Sequence, residues 1–292
     1  MVTLENDFLT VTIDPHGAEL TSVLGVHSQI EYLWQADPAI WKRHAPVLFP
    51  IVGKLHDDSY QYEGQTYHMS QHGFARDRDF TVVESTKTSA TFELTDDAQT
   101  RAMFPFAFKL VIKYVLDNNM IRVNYAVTNP DTKAPLFFSI GAHPGFNIPL
   151  TDETNFDGYY MSFDPKKSRV QIPLDVAAGI DYTHRTLAAT DVNQSLSRDF
   201  FKNDAVIYEL NGKTTFKLQS DHSKHGVALT VADAPYLGVW SPYPTTGNFV
   251  CIEPWWGIAD TIDASGDLTT KLGINQLAPQ ADFETGYTIQ TF

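Results

Sequence analysis

Alternation of apolar and polar residues with a period of two recurs along almost the whole chain of 292 residues. Because successive side chains of a β-strand point to opposite faces of the sheet, this period predicts strands that bury one face. The runs are rich in β-branched and aromatic residues, which strands favour. The clearest are FLTVTI, ATFEL, FKLVIKYVL, IRVNYAV, AVIYEL, TTFKLQS and GVALTVA. The pattern predicts an all-β fold, either an antiparallel sandwich or a barrel.

The run KLVIKYVLDNNMIRVNYAVTN predicts a β-hairpin. Its two alternating segments are joined by Asp117, Asn118 and Asn119, and short polar residues of these types accept the positive φ angles of a tight turn. Such turns join antiparallel neighbours, whereas parallel strands need crossovers of about a dozen residues or more. The hairpin therefore favours antiparallel sheets.

Helix signals are few and short. The segment DPAIWKR predicts a helix of about two turns, with Asp37 as the N-cap and Pro38 at the first helical position. The segment TDDAQTRAMF predicts another, beginning at Thr95. The stretch from about 150 to 200 is interpreted as long connections over a sheet. No linker or internal repeat divides the chain, so a single domain over residues 1–292 is predicted.

Charge limits the partners that the chain can bind. Asp and Glu number 35 against 21 Lys and Arg, which gives a formal net charge of -14. Nucleic-acid binding depends on clustered basic residues, so a nucleic-acid partner is not expected. No stretch approaches the roughly 18 apolar residues that span a bilayer, so a membrane partner is not expected. A neutral small molecule is the simplest ligand, bound by a monomer or a homodimer.

The single cysteine, Cys251, cannot form an internal disulfide, which is typical of a reducing compartment. The first residues, MVTLENDFLT, carry Glu5 and Asp7 where a signal peptide would carry basic and then apolar residues. A cytoplasmic location is therefore expected. Cys251 itself is interpreted as a small buried apolar side chain in a strand.

Three segments combine a titratable residue with glycine, proline and aromatic residues, namely QHGFARDR (71–78), GAHPGF (141–146) and CIEPWWG (251–257). His72 and His143 are either structural histidines or proton-transfer groups, and the glycines beside them would let the chain turn and a ligand approach closely. Glu253 is either a surface carboxylate or a buried one whose raised pKa suits acid–base catalysis. Trp255 is either a platform for a sugar ring or a core plug.

Signals for a metal or cofactor are weak. The segment DHSKH offers His222 and His225, but a solvated turn between two strands explains it better than a metal site. The chain has no G-x-G-x-x-G after a strand, no P-loop and no G-x-S-x-G elbow. Neither a metal nor an organic cofactor is expected.

The three segments, in the forms HGFARDRDF, GAHPGFNIP and CIEPWWG, resemble motifs of the aldose 1-epimerases, or galactose mutarotases. The resemblance extends over essentially the whole chain and is to a divergent bacterial branch of that family. It implies an antiparallel β-supersandwich with a few short helices and an open cleft for a sugar. It also implies an isomerase that interconverts the α and β anomers of an aldohexose without a cofactor.

The same resemblance implies roles for individual residues. His143 would be the general acid toward the ring oxygen, and Glu253 the general base at the C1 hydroxyl, with His72 bonded near the same oxygens. Asp204 would bind sugar hydroxyls, and Trp240 would lie beside the sugar.

The family's arginine after a glycine-rich strand end is missing here, because the chain has FPIVGKLHDDSY with Lys54. Lysine lacks the bidentate fork of arginine, so altered hydroxyl recognition is expected. Arg76 is a further candidate for the missing guanidinium.

Three alternatives remain open at this point. The chain could bind or sense a sugar without catalysis, although an acid–base pair is not needed for binding alone. It could be a glycoside hydrolase or lyase that uses Glu253 and Asp204 as paired carboxylates. It could epimerise a hexose 6-phosphate, which the acidic charge and the lack of an evident arginine cluster make a lesser candidate.

Overall fold

The computed structural model describes residues 1–177 and 179–292. Its strands, in chain order, are β1 (Val2–Glu5), β2 (Leu9–Asp14), β3 (Glu19–Gly25), β4 (Val47–Leu48), β5 (Ser59–Tyr62), β6 (Gln65–His68), β7 (Thr81–Ser85), β8 (Ser89–Thr95), β9 (Lys109–Asp117), β10 (Met120–Thr128), β11 (Leu136–Phe138), β12 (Ile140–Ala142), β13 (Gly145–Asn147), β14 (Tyr160–Asp164), β15 (Arg169–Ile172), β16 (Leu174–Asp175), β17 (Gly179–Ile180), β18 (Thr186–Ala188), β19 (Gln194–Ser195), β20 (Val206–Glu209), β21 (Thr214–Gln219), β22 (Val227–Val231), β23 (Tyr236–Trp240), β24 (Phe249–Trp256), β25 (Asn275–Leu277) and β26 (Asp282–Thr291). The described residues also form the helix α1 (Ala98–Met103) and short 3₁₀ helices at His56–Asp58, Ala75–Asp77, Phe156–Gly158, Arg198–Phe201 and Leu268–Thr270.

Two large sheets dominate the architecture. One has nine strands in the order β19-β14-β21-β22-β26-β10-β9-β8-β7. The other follows the order β18-β15-β20-β23-β24-β12-β4, and β13 also pairs with β24. The ladders of both sheets are antiparallel. The all-β prediction is confirmed, and the order of strands makes the fold a sandwich rather than a barrel.

The main core lies between these two sheets. Tyr125 of β10 meets Trp256 of β24 with ring centroids 6.3 Å apart. Phe163 of β14 meets Tyr208 of β20 at 5.3 Å. One continuous cluster of buried apolar residues joins both sheets. Burial of such a cluster is the main favourable contribution to folding, at about 25 cal/mol per Å² of apolar surface.

The predicted hairpin is confirmed in detail. Strands β9 and β10 pair over nine residues each, and Met120 is the partner of Asp117 across the turn. Asn118 has a φ of 52°, the left-handed conformation that asparagine tolerates better than most residues.

The helix predicted in DPAIWKR is wrong. The segment makes a single turn, in which Ile40 N and Trp41 N both donate to Asp37 O, while Ala39 N donates to the Asp37 carboxylate. Asp37 therefore caps a turn that does not continue. Trp34 Nε1 donates to Trp41 O at 2.8 Å, and this tertiary contact competes with a helix too short to be stable alone.

The second predicted helix exists, but it begins later. Thr95 is the last residue of β8, and Asp97 is the N-cap of α1. The Asp97 carboxylate accepts from Thr100 N, and Thr100 Oγ1 accepts from Asp97 N, so the two residues form a reciprocal capping box.

The interpretation of residues 150 to 200 as connections alone was also wrong. Six short strands, β14 to β19, lie in this stretch, and β14 and β15 are built into the two large sheets. Their shortness, from two to five residues, explains why no clear alternation marked them in the sequence. Among the described residues, no helix is long and apolar enough to cross a membrane.

Candidate functional site

Strand β24 has both faces buried and divides them between two environments. Val250, Ile252 and Trp256 join the main core between the sheets. The alternate residues point to the other face of the sheet, because side chains alternate along a strand. Cys251 and Trp255 belong there to two smaller apolar clusters, and Glu253 lies between them in sequence and is 1% exposed. Glu253 is thus the buried carboxylate of the two sequence alternatives.

His143 reaches the same face from the short link between β12 and β13. Both strands pair with β24, Gly141 opposite Trp255 and Gly145 opposite Cys251. The backbone of the link is tied on both sides, since His143 N donates to Pro46 O and Pro144 O accepts from Ile252 N. His143 is 8% exposed, and its Nε2 lies 3.2 Å from Glu253 Oε2. The two predicted proton-transfer residues therefore form a buried pair.

The glycines around His143 serve close packing rather than sharp turns. A Cβ at Gly141 would lie 2.9 Å from Cδ1 of Trp255, and a Cβ at Gly145 would lie 3.0 Å from Cζ3 of Trp41. Neither glycine has a φ in the left-handed region. The expectation that these glycines turn the chain on either side of His143 was therefore wrong. Each glycine instead makes room for an indole that flanks the site.

His72 is the second imidazole of the site. It has a φ of 67°, a strained conformation for a residue with a Cβ. Its Nδ1 accepts a hydrogen bond from Gly53 N at 3.1 Å, which leaves the proton of the neutral ring on Nε2. The His72 and His143 rings meet edge to face with centroids 5.5 Å apart.

Two tryptophans line the His143 side of the site. The Trp41 ring centroid is 5.0 Å from that of His143, and the Trp240 centroid is 5.7 Å from it. The two indoles contact each other at 5.7 Å. Trp41 also stacks on Phe249 at 5.4 Å, and Phe249 stacks on Trp34 at 4.5 Å. Trp41 and Trp240 thus form an aromatic wall of the site, against which Phe249 and Trp34 pack.

Burial favours the neutral form of both members of the pair. It lowers the pKa of His143 to about 3, and the positive charges of Arg76 and Arg43 act in the same direction. Burial also raises the pKa of Glu253 well above 4.5, with the negative charge of Asp204 adding to the rise and Trp255 opposing it. His143 Nδ1 and Glu253 Oε1 are buried, and neither has a hydrogen-bond partner within residues 1–177 and 179–292.

Two arginines that are distant in sequence lie near both histidines. Burial lowers the pKa of His72 well below 6.5, and the charges of His143, Arg76 and Arg43 lower it further. Arg43 Nη2 bonds to Asp77 at 2.8 Å, while Arg76 Nη2 donates to Gln71 O at 2.5 Å.

The positive charge of Arg76 is only partly compensated by its acidic neighbours. Burial and the charge of Arg43 together lower the pKa of Arg76 to about 10, against the opposing charges of Asp77 and Glu19. Its Nε atom is buried without a hydrogen-bond partner.

Asp204 lies in the turn before β20 and is half-buried, with a φ of 72°. Burial raises its pKa, while a hydrogen bond from the Trp240 side chain and one from Ala205 N lower it. The negative charge of Asp204 in turn raises the pKa of Glu253. The structure therefore brings Asp204, Trp240 and Arg76 close to the His143 and Glu253 pair, and their roles toward a sugar stay predictions.

Trp255 and Lys54 differ from the other predicted binding residues. Trp255 is 5% exposed and packs over Gly238, where a Cβ would lie 2.5 Å from its ring. Trp255 is therefore buried like a core residue, and its role in substrate binding stays a prediction. Lys54 is exposed, and in residues 1–177 and 179–292 its ammonium makes no hydrogen bond or ion pair. Its role stays a prediction.

Sequence reasoning missed Trp41 and Arg43. Both lie in the segment that was predicted to be a helix, and the only available signal was the proximity of WKR to the glycine-containing run FPIVGK. A metal-ligand set was also missed. His143, Cys251 and Glu253 each offer one ligand atom, and these atoms all lie within 4.8 Å of one another.

Comparison with known proteins places this arrangement in a family. The family model described as "Aldose 1-epimerase" matches residues 1–272. The chain belongs to the aldose 1-epimerase family. This description is that of isomerases acting on sugars, and the resemblance inferred from the three motifs is confirmed.

Several members of the family resemble the chain over its full length. Protein LacX (plasmid) of Lactococcus lactis is 32% identical, over 99% of this chain and 98% of that protein. A galactose mutarotase related enzyme of Lactobacillus acidophilus is 47% identical, with a TM-score of 0.97 over 99% of this chain and 96% of that one. A galactose mutarotase-like protein of Lactobacillus casei is 34% identical, with a TM-score of 0.88 over 100% of both chains. These similarities confirm the galactose mutarotase-like fold.

Proposed function

We propose that the protein is an aldose 1-epimerase that interconverts the α and β anomers of an aldohexose. The observation that carries the proposal is the buried pair of His143 and Glu253, whose Nε2 and Oε2 atoms lie 3.2 Å apart. Buried polar atoms of structural residues usually have hydrogen-bond partners, but His143 Nδ1 and Glu253 Oε1 have none in the part of the chain that the structure describes. Two groups that exchange protons and retain free bonding positions suit a reaction that moves protons between two oxygens.

Mutarotation requires one proton to leave the C1 hydroxyl and another to reach the ring oxygen. Glu253 takes the first as general base, and His143 gives the second as general acid. The bond between C1 and the ring oxygen then breaks, and the C1 hydroxyl becomes a carbonyl. Rotation about the bond between C1 and C2, followed by reversal of both transfers, yields the other anomer. Proton count is conserved, so no co-reactant is needed.

The resting pair already holds the protons that this cycle uses. A neutral imidazole beside a protonated carboxyl contains the same number of protons as an imidazolium beside a carboxylate. Burial favours the first state, since it disfavours charge on either group. A sugar hydroxyl and ring oxygen that bond to the pair replace lost solvation and favour the second, which is the reactive state.

The surrounding residues suit a sugar. His72 carries its neutral-form proton on Nε2, because Nδ1 accepts from Gly53 N, and that proton can be donated to a substrate oxygen. Asp204 can accept from sugar hydroxyls. The faces of Trp41 and Trp240 provide apolar surface for the C–H face of the ring.

Anomeric proton NMR of freshly dissolved α-glucose and α-galactose tests the proposal. The protein should speed equilibration of at least one sugar, and Glu253→Gln should lose this acceleration while still binding the sugar. A matched control is Glu284→Gln, which changes an exposed glutamate of β26 and should equilibrate the sugars like the unmodified protein. Equal loss of binding and turnover in Glu253→Gln would remove Glu253 as a catalytic residue. Binding without any acceleration would favour a sugar-binding protein.

A second candidate is a sugar that carries an anionic group. The observation that favours it is the approach of Arg43 and Arg76 to both histidines, since positive charges so placed lower the pKa of His72 and His143. The low count of basic residues argued against this class, but a local pair is not excluded by an overall charge. Guanidinium groups recognise phosphate oxygens in bidentate geometry.

Hexose 6-phosphates therefore belong in the same NMR assay. For an anionic substrate, the ratio of kcat/KM between phosphorylated and free sugar should exceed one and fall at least about tenfold in Arg76→Gln, since charge-assisted bonds contribute about 1.5–3 kcal/mol. A ratio below one that Arg76→Gln leaves unchanged would reject this candidate.

We also infer a cytoplasmic location, supported by the single, free and buried cysteine.

A further inference from the structure

Cys251 is the neighbour of the catalytic pair that the proposed reaction leaves unused. It is two residues before Glu253 on the same face of β24 and is 0% exposed. In the β23–β24 ladder its partner is Trp240, which lies beside His143. As a result, one nitrogen, one sulfur and one oxygen ligand atom lie within 4.8 Å of one another.

We propose that His143, Cys251 and Glu253 form a binding site for Zn²⁺, and that the ion inhibits the enzyme by occupying the catalytic pair. Nitrogen, sulfur and carboxylate oxygen are the three ligand types that zinc uses in proteins. Zinc bonds of about 2.0–2.3 Å place tetrahedral ligand atoms about 3.3–3.8 Å apart. The 3.2 Å between His143 Nε2 and Glu253 Oε2 is close to that spacing, and all three ligand atoms lie within 4.8 Å, so the site has to contract by at most about 1.5 Å.

The unused bonding capacity of the Glu253 carboxylate supports the binding of a cation. Glu253 Oε1 is buried and has no hydrogen-bond partner among the described residues, and the Trp255 side chain only partly offsets the effect of burial on this carboxyl. In contrast, the carboxylate of Asp260 is bonded by both Lys271 Nζ and His56 N. A buried oxygen without a donor costs free energy, and a metal bond at that oxygen removes the cost.

Charge balance is also favourable. Coordination deprotonates a thiol, so the bound site contains a thiolate and a carboxylate. Their two negative charges neutralise Zn²⁺. Arg43 and Arg76, which lower the pKa of His143, therefore face no net positive charge when the ion is bound.

The geometry makes the ion an inhibitor. Three protein ligands leave the fourth position to water, as in many catalytic zinc sites. Here, however, the ion takes the lone pairs of His143 and Glu253 that would move the substrate protons. Metal and sugar should therefore compete. The binding of zinc rests on geometry alone, whereas inhibition rests on the proposed function.

Isothermal titration with Zn²⁺ and absorption spectroscopy with Co²⁺ test the site without any turnover assay. The intact protein should bind one ion and show the sulfur-to-cobalt charge-transfer band of a thiolate ligand, which Zn²⁺ should abolish. Cys251→Ala should lose the band and bind Zn²⁺ at least about 10–100-fold more weakly. Removing a residue that only hydrogen-bonds to a metal ligand already causes a loss of that size, so removal of a ligand itself should cost no less. A matched control is the double variant His222→Ala/His225→Ala, which removes the surface histidines of DHSKH and should bind as the intact protein does.

The outcomes separate the hypotheses. Unchanged affinity in Cys251→Ala, binding lost in the double variant, or no charge-transfer band in the intact protein would each overturn the zinc site. Circular dichroism verifies the fold of each variant, and the cobalt band of the intact protein decides the matter if Cys251→Ala does not fold. In the NMR assay, Zn²⁺ should slow the intact protein and spare Cys251→Ala, whose turnover should persist. Failure of turnover in all samples would reject the proposed function and leave the binding result standing.

Discussion

Two buried acid–base pairs of the described residues are bonded very differently. In one, Lys271 Nζ lies 3.0 Å from Asp260 Oδ1, with side chains 3% and 6% exposed. In the other, His143 Nε2 lies 3.2 Å from Glu253 Oε2, with side chains 11% and 2% exposed. Distance and burial alone would give the two pairs the same role.

Their remaining bonds distinguish them. Lys271 Nζ also donates to Ile258 O at 2.6 Å, and Asp260 Oδ2 accepts from His56 N at 3.0 Å. The lysine pair is thus bonded to backbone on both sides and holds the segment after β24 in place. His143 and Glu253 each retain a buried polar atom that no described residue bonds. The comparison teaches that unsatisfied bonding capacity, more than burial, marks the pair available for chemistry.

The largest expected effect separates turnover from stability at the catalytic pair. Glu253→Gln should lower kcat roughly 10²–10⁴-fold, the usual contribution of general acid–base catalysis. The free energy of unfolding should not fall, because burial raises the pKa of Glu253 and so favours its neutral form, whose shape glutamine nearly reproduces. Kinetics and urea unfolding of the same sample measure both. A large loss of stability with normal kcat would reverse the assignment of the two pairs.

Lys271→Met should have the opposite profile. It leaves Asp260 buried without its cation, which costs about 3–5 kcal/mol of unfolding free energy. The kcat of the folded fraction should remain close to that of the intact protein. The double variant Lys271→Met/Asp260→Asn, which removes both charges, should recover much of the stability. Urea unfolding followed by tryptophan fluorescence gives the three values, and no recovery in the double variant would refute the ion-pair explanation.

A pH series sharpens the comparison further. The folded state raises the pKa of Glu253, so its proton is lost from the unfolded chain first, and this stabilising contribution declines as pH rises from 4.5 through the raised pKa. Glu253→Gln lacks the decline, so its stability relative to the intact protein should increase with pH by up to about 1.4 kcal/mol per unit. Thermal unfolding from pH 5 to 8 measures the difference. The exposed-site variant Glu284→Gln should show no such trend, and a flat difference for Glu253→Gln would contradict the raised pKa.

The contribution of His143 to stability changes with pH in the opposite direction to that of Glu253. The pKa of His143 is lowered to about 3 in the folded state, so its contribution is complete above 6.5 and is lost as pH falls toward 3. Both proteins of the series retain His143, and its contribution therefore largely cancels in their difference.

The smallest effect concerns the aromatic wall. Trp41→Phe keeps an aromatic ring beside His143 but offers the sugar a smaller face. KM should rise about 3- to 10-fold with little change in kcat, since contacts between aromatic groups contribute about 0.5–1.5 kcal/mol. Initial rates over a range of sugar concentrations separate the two constants. A fall in kcat without a change in KM would give Trp41 a role in the proton transfers instead.

Much of the fold, and the segments that form the candidate site, could be predicted from the sequence. Strands such as β9 and β10 alternate over nine residues, and their burial alternates in the same way. His143 and Glu253 stand in segments that combine a titratable residue with glycine, proline and aromatic residues. That combination singled out both residues, and the structure places them 3.2 Å apart.

The rest depended on contacts between distant segments. Two contacts position Trp41, namely the hydrogen bond from Trp34 Nε1 to its carbonyl oxygen and the stacking of its ring on Phe249. Phe249 is more than 200 residues from Trp41 in the sequence. Arg43 and Arg76 are 33 positions apart, and only folding brings Arg43 Nη1 within 3.5 Å of Arg76 O. No period or propensity reports such contacts. The sequence left a phosphorylated substrate as a lesser alternative, and the charge of Arg43 and Arg76 near the histidines, which now favours it, emerged only from the structure.

The two glycines beside His143 also bear on how such a site can evolve. Trp255 and Trp41 occupy the space in which a side chain at Gly141 or Gly145 would lie. A mutation at either glycine is therefore harmful until an indole has been lost, and loss of the indole alone leaves a void. Each step is unfavourable without the other, so this part of the site should diverge only by paired substitutions, and new substrate preferences should arise more readily elsewhere around the cleft.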